Sequence, residues 1–153
     1  MAAFEPRVYE YHTHLTWETS HKGVAGVEGF PEMHIDCPRE FGGDGKDWTP
    51  EHLLVASVED CIMTTFIAMV ERRKMQFISY SSAALGKAQL VNGVFRFSEI
   101  IVKPSVTIAA DADMEKISEL LHRAHRKCMV SSSLLTEVKM EPEVRKAARE
   151  SAS

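Results

Sequence analysis

The reactive chemistry open to this sequence rests first on three cysteines, Cys37, Cys61 and Cys128. An odd number with no C-x-x-C pair argues against a secreted disulfide framework and a structural zinc cluster, and it points to a reducing compartment. Cys61 falls on an apolar stripe of a long predicted helix, with Leu54, Val58, Thr65 and Met69 at spacings of three and four. Cys128 ends a second predicted helix. Each alone reads better as core, because free cysteine packs as a small hydrophobe. On two helices that pack together, they would meet the needs of peroxide reduction, in which one thiol becomes a sulfenic acid and a neighbour condenses with it. Cys37 reads as a structural or incidental thiol.

Other ionisable groups are weaker pointers. His12 and His14 share a strand face, and His122 and His125 share a helix face, both spacings that could serve a metal. They read better as exposed polar faces, and no metal is expected. Arg123, His125, Arg126 and Lys127 suit the C-terminus of a helix and would favour a thiolate at Cys128. Glu59 and Asp60, directly before Cys61, work the other way, since carboxylates beside a thiol oppose its ionisation.

The elements that must position these groups follow from pattern and composition. With 153 residues, 44% of them hydrophobic, the chain reads as a single α+β domain over 1–153, large enough to bury a core unaided. A net charge of -4 makes no electrostatic case for a nucleic acid or an anionic membrane as partner. The N-terminal residues lack a signal-peptide pattern, and the longest apolar stretch, 53–70, carries Glu59 and Asp60, which makes a bilayer span costly. A cytoplasmic location is expected.

Alternation over 8–17, with Tyr9, Tyr11, Leu15 and Trp17 on one face, predicts a half-buried strand, followed by short strands at 24–27 and 33–36. Thr49-Pro50-Glu51 opens a helix over 50–74, closed by Arg72-Arg73-Lys74; with so little polar face it needs burial along much of its length. Segments 77–90 and 94–108 form a hairpin across Asn92-Gly93, with Pro104 marking an edge or a bulge. Asp111 or Asp113 caps a helix to Lys127 whose apolar face is Ile117, Leu120, Leu121 and Ala124. A short turn or helix at 130–135 and a final strand at 137–140 follow, then a charged, Ala-rich helix or frayed tail after Pro142.

Phe41-Gly42-Gly43 and the run from Thr49-Pro50-Glu51 through Glu59-Asp60-Cys61 resemble the helix-opening and first-cysteine motif of the OsmC/Ohr family, the osmotically inducible and organic hydroperoxide resistance proteins. Cys128-Met129-Val130-Ser131, followed by Leu134, resembles the family's second-cysteine motif, and the likeness covers nearly the whole chain, closer to the OsmC-like branch. The resemblance implies an OsmC-like fold in an intertwined homodimer, with two long central helices per subunit packed against β-sheets and active sites at the subunit interface. It also implies thiol-dependent reduction of organic hydroperoxides. Carried over by position, Cys61 is the peroxidatic thiol, Cys128 the resolving thiol and Glu51 the active-site glutamate; an external lipoyl-type dithiol restores both cysteines, with no bound cofactor. Ten residues of helix put Glu51 about 15 Å from Cys61, so a partner subunit supplies it more easily, unless it serves only the helix N-terminus.

One family feature is missing. The loop after the first strand, Trp17-Glu18-Thr19-Ser20-His21-Lys22-Gly23, has no arginine to stabilise the thiolate. Lys22, His21 and Arg39 are the candidates for that charge, although a lysine lacks the planar fork that engages two partners. The chain could accordingly keep the fold as a non-catalytic binding protein for a small apolar ligand, or serve as a redox-sensing stress protein.

Overall fold

The computed structural model describes residues 6–148 and shows a mixed α+β chain. Its internal contacts divide it into two compact units, one running through His52 and the other beginning at Leu53.

The first unit holds an antiparallel sheet of order β1-β2-β3: β1 (His14–Thr19), β2 (Lys22–Gly26) and β3 (Met33–Ile35). Here the expectation of a half-buried strand over 8–17 is corrected. The strand begins only at His14, and all its residues are exposed, Leu15 at 64% and Trp17 at 72%. Half-burial needs a covering layer as well as alternation, and β1 is an edge strand hydrogen-bonded to β2 alone. After β3, Asp36 organises the return of the chain: its buried carboxylate accepts the Cys37 amide at 2.8 Å and the Asp44 amide at 3.1 Å. The 3₁₀ turn Arg39–Phe41 ends at Gly42, whose φ of 103° favours glycine, and a Cβ on Gly43 would lie 1.7 Å from the Cys37 carbonyl oxygen. Those two constraints account for the Phe41-Gly42-Gly43 break.

The long helix α1 is Pro50–Arg72. Thr49 Oγ1 accepts the His52 amide at 3.3 Å, the bond expected of an N-cap. In the second unit α1 buries Val58, Ile62, Phe66 and Val70, a stripe displaced from the one predicted through Cys61, Thr65 and Met69. An apolar helix offers several equivalent stripes, and the sheet it meets selects one. Cys61 is left half-buried on the flank of that stripe, and between Glu51 and Val70 only His52, Asp60 and Thr64 are exposed. By length and mean hydropathy (1.8) α1 could cross a membrane, yet Glu59 and Asp60 sit at its middle and its buried stripe packs on protein.

The predicted hairpin is present as β4 (Ser79–Val91) and β5 (Val94–Ile108), joined by Asn92 and Gly93 with φ of 49° and 79°, the left-handed values a two-residue turn requires. Pro104 is on neither an edge nor a bulge. The bulge lies at Lys87/Ala88, and β5 is the central strand, flanked by β4 on one side and by β6 (Glu137–Met140) and β7 (Glu143–Lys146) on the other. Pairing with β6 stops at Val102 and pairing with β7 starts at Ser105, so the missing N–H of Pro104 falls in the interval. The segment after Pro142 is strand β7, parallel to β5, and not a helix or frayed tail: the open edge of β5 outweighs an Ala-rich composition, which is only a weak helical prior. Residues 149–153 of that predicted tail lie outside the described residues.

Helix α2 (Met114–Lys127) is capped by Asp113, whose side chain accepts the Lys116 amide at 3.1 Å, and it buries Ile117, Leu120, Leu121 and Ala124 as predicted. A single turn, α3 (Met129–Ser132), follows. Ile100, Val102, Val106 and Ile108 recur at even spacing on one face of β5, where Phe66 and Val70 of α1 and the apolar face of α2 cover one end and Val58, Ile62 and Cys128 the other.

Candidate active site

The second of these clusters brings the two predicted reactive thiols together. α1 reaches Ile100 and Val102 through Val58 and Ile62, and Cys128, at the junction of α2 and α3, packs on the same residues with Cys61 against it. The Cys61 and Cys128 side chains are neighbours in this cluster, and both are free thiols. Cys128 is wholly buried. Its Sγ accepts the Ser131 amide at 3.3 Å and the Ser131 hydroxyl at 3.1 Å, so the thiol itself is the N-cap of α3. Burial pushes the Cys128 thiol up, the neighbouring Cys61 thiol adds to the rise, and the two Ser131 donors partly oppose it.

Ser131 was visible in the sequence only as part of a motif. Its signal was positional: a serine three residues after a helix-ending cysteine, where the next turn needs a cap. Nor did the sequence show where the carboxylates before Cys61 go. Glu59 accepts a hydrogen bond from the Ser82 hydroxyl on β4, while Asp60 is exposed. Residues 59 and 61 are about 200° apart around a helix, which directs Glu59 to the flank opposite Cys61. Beside Glu59, burial pushes the Tyr80 hydroxyl up to about 12, with Ser82 opposing and the Glu59 charge reinforcing.

The remaining candidates are in the first unit. Lys22 Nζ lies 2.8 Å from a carboxylate oxygen of both Asp44 and Asp47, which hold it well above the usual lysine range. Lys22 in turn, with the Lys46 amide, holds Asp44 below the usual carboxylate range. Asp36, Asp44 and Asp47 thus form an acidic trio the sequence analysis did not single out, and Lys22 already engages two of its members. His21 is exposed, and the Arg39 guanidinium folds over Gly45, where a Cβ would lie 1.9 Å from its Nε. Glu51 occupies the first turn of α1, and its Oε2 is shielded from solvent with no hydrogen-bond donor among the described residues. Cys37 Sγ donates to the Phe41 carbonyl at 3.4 Å within its own loop. The predicted histidine pairs are engaged separately: His12 lies 3.4 Å from Glu10, and His125 Nε2 donates to the Val138 carbonyl at 2.9 Å.

Among proteins of known sequence, the chain is similar to the uncharacterized protein YmaD of Bacillus subtilis, 25% identical over 139 residues, covering 88% of this chain and 93% of that protein. Its fold is similar to an OsmC-like protein of unknown function from Vibrio cholerae (TM-score 0.81, 18% identity, 88% of this chain and 99% of that one). It is also similar to an organic hydroperoxide resistance protein from Elizabethkingia anophelis (TM-score 0.72, 18% identity, 94% and 100%). Residues 43–143, which include both contacting cysteines, match the model of a family described as OsmC-like protein. The chain therefore belongs to the OsmC-like family.

Proposed function

We propose that the protein is a thiol-dependent peroxidase that reduces organic hydroperoxides. The Cys61 thiolate attacks the distal peroxide oxygen: an S–O bond forms, the O–O bond breaks, and the alkoxide takes up a proton and leaves as alcohol. Cys61 is oxidised to a sulfenic acid and the hydroperoxide is reduced. Cys128 then closes a disulfide on Cys61 with loss of water, and an external dithiol, of the lipoyl type, reduces it by exchange. The observation that carries this reading is the contact between a half-buried and a wholly buried free thiol, held by two helices on one pair of strand residues. Membership of a family whose structural relatives include organic hydroperoxide resistance proteins supports the substrate class.

The working form in this reading is a homodimer in the cytoplasm, with the partner completing each site. Two features support it. Glu51 presents a shielded oxygen with no donor among the described residues, which a second subunit can supply. The N-terminal segment and β1 expose Tyr9, Tyr11, Leu15 and Trp17, an apolar run far from the solvent-facing norm. Consumption of cumene hydroperoxide with a lipoyl reductant between pH 6 and pH 9 tests the enzyme reading, and none at any pH sinks it. A second reading, a non-catalytic binder of a small apolar ligand, is favoured by one observation: the ammonium of Lys22, a candidate for the thiolate's partner, is engaged by Asp44 and Asp47.

A further inference from the structure

We propose that Ser131 is the positioning residue of the thiol pair: by donating both its amide and its hydroxyl to Cys128 Sγ, it leaves the Cys128 proton to face Cys61 and supports the charge that Cys128 gains as that proton leaves, before the S–S bond consumes it. The inference rests on the reading of Cys61 and Cys128 as a redox couple and adds a residue to it.

A thiol sulfur carries one proton. With the Ser131 amide at 3.3 Å and its hydroxyl at 3.1 Å both donating to Sγ, the S–H is free to turn toward Cys61, which packs in the same cluster. Cys128 is wholly buried, so solvent cannot take over either role. Ser131 is itself held in place, because the Ser132 amide and hydroxyl both donate to the Cys128 carbonyl, at 3.0 and 2.8 Å, and pin the turn. The arrangement matches the needs of the resolving step. Cys128 sulfur attacks the sulfur of the Cys61 sulfenic acid; the S–S bond forms as the S–O bond breaks, and the proton already directed at Cys61 leaves with the hydroxide as water. Cys128 gives up the electrons that the sulfenic sulfur gains, and Ser131 keeps its own proton throughout. A buried sulfur losing its proton is the costly point of this step, and a hydroxyl donor strengthens as charge grows on it.

The test uses the full chain with Cys37→Ser to remove the third thiol, and compares Ser131→Ala and Ser131→Thr with Ser131 in glutathione redox buffers. Two quantities are read: the rate at which glutathione disulfide drives closure of the Cys61–Cys128 bond, and the equilibrium between dithiol and disulfide. Ser131→Ala is expected to slow closure about tenfold, the effect of one lost hydrogen bond to a charged group. It is also expected to shift the equilibrium about tenfold toward the disulfide, about 30 mV for a two-electron couple, because the reduced sulfur loses a donor it uses more. Ser131→Thr should return both to within about twofold, since it keeps the hydroxyl. Slower closure with a more stable disulfide is a split that simple damage to the α3 turn would not produce. Unchanged rate and equilibrium in Ser131→Ala, failure of Ser131→Thr to restore them, or a pair that stays dithiol at every glutathione ratio overturns the proposal. None of these readouts involves a hydroperoxide, so failure of the peroxidase reading appears separately, as absent cumene hydroperoxide consumption by the unsubstituted chain.

Discussion

Cys61 and Cys128 pack in one cluster at the end of β5's apolar face, and they differ in exposure: Cys61 is half-buried on the flank of α1, whereas Cys128 is wholly buried. In the proposed peroxidase reading, that asymmetry makes Cys61 the thiol that meets substrate first and Cys128 the one that follows.

Cys61→Ser is therefore expected to abolish hydroperoxide turnover. In Cys128→Ser the Cys61 sulfenic acid should accumulate, because no thiol is left to condense with it. Labelling with dimedone, read by mass spectrometry, checks both; a Cys128→Ser protein that turns over like the unsubstituted chain would rule out a resolving role.

Leu15 and Trp17, exposed on β1, are expected to lie in the homodimer interface. The unsubstituted chain should sediment at twice 17.2 kDa, and Leu15→Asp combined with Trp17→Arg should shift it toward the single-chain mass. Sedimentation of the unsubstituted protein at 17.2 kDa across the micromolar range would contradict the dimer.

Phe66 is fully buried, with its ring centroid 5.6 Å from that of Phe77 and 5.8 Å from that of Tyr80. Phe66→Ala removes a large core side chain and should cost about 3–5 kcal/mol, with Phe66→Leu costing markedly less because it leaves a smaller cavity. Urea midpoints at constant slope give both values, and equal losses for the two variants would mean the site collapses around either.

Glu99 sits on the central strand with Lys87 opposite it on β4 and Lys139 on β6, and those two ammonium groups hold its carboxyl below the usual range. A depressed folded pKa means that the stabilisation is present above the unfolded value of about 4.3 and is lost as pH falls through the folded one. Glu99→Gln should accordingly destabilise the protein near neutrality and lose that difference in acid. Thermal midpoints measured from pH 7 down to pH 2 check the sign; a gap that widens in acid would refute it.

Several elements were legible because local chemistry alone decides them. Asn92-Gly93 takes the left-handed backbone values that a two-residue hairpin needs. Asp113 supplies the cap and Ile117, Leu120, Leu121 and Ala124 the buried face of α2, since an amphipathic helix with one apolar side has one way to pack. Residue types and spacing also placed Cys61 and Cys128 on their elements.

Tertiary structure decided what depends on a neighbour distant in sequence. α1 is apolar on more than one side, so only the sheet beneath it could choose Val58, Ile62, Phe66 and Val70 over the stripe through Cys61. The segment after Pro142 has little strand character of its own and became β7 because β5 had open hydrogen-bonding groups beside it. Lys22 was a free cation in the sequence and is a paired one in the fold, since Asp44 and Asp47 lie more than twenty residues away along the chain. The sequence by itself determined which residues could react. That the two thiols become neighbours came from the packing of α1 and α2 on the same strand, which joins residues 67 positions apart that no local pattern links, whereas the hold of Ser131 on Cys128 is a local contact three residues long.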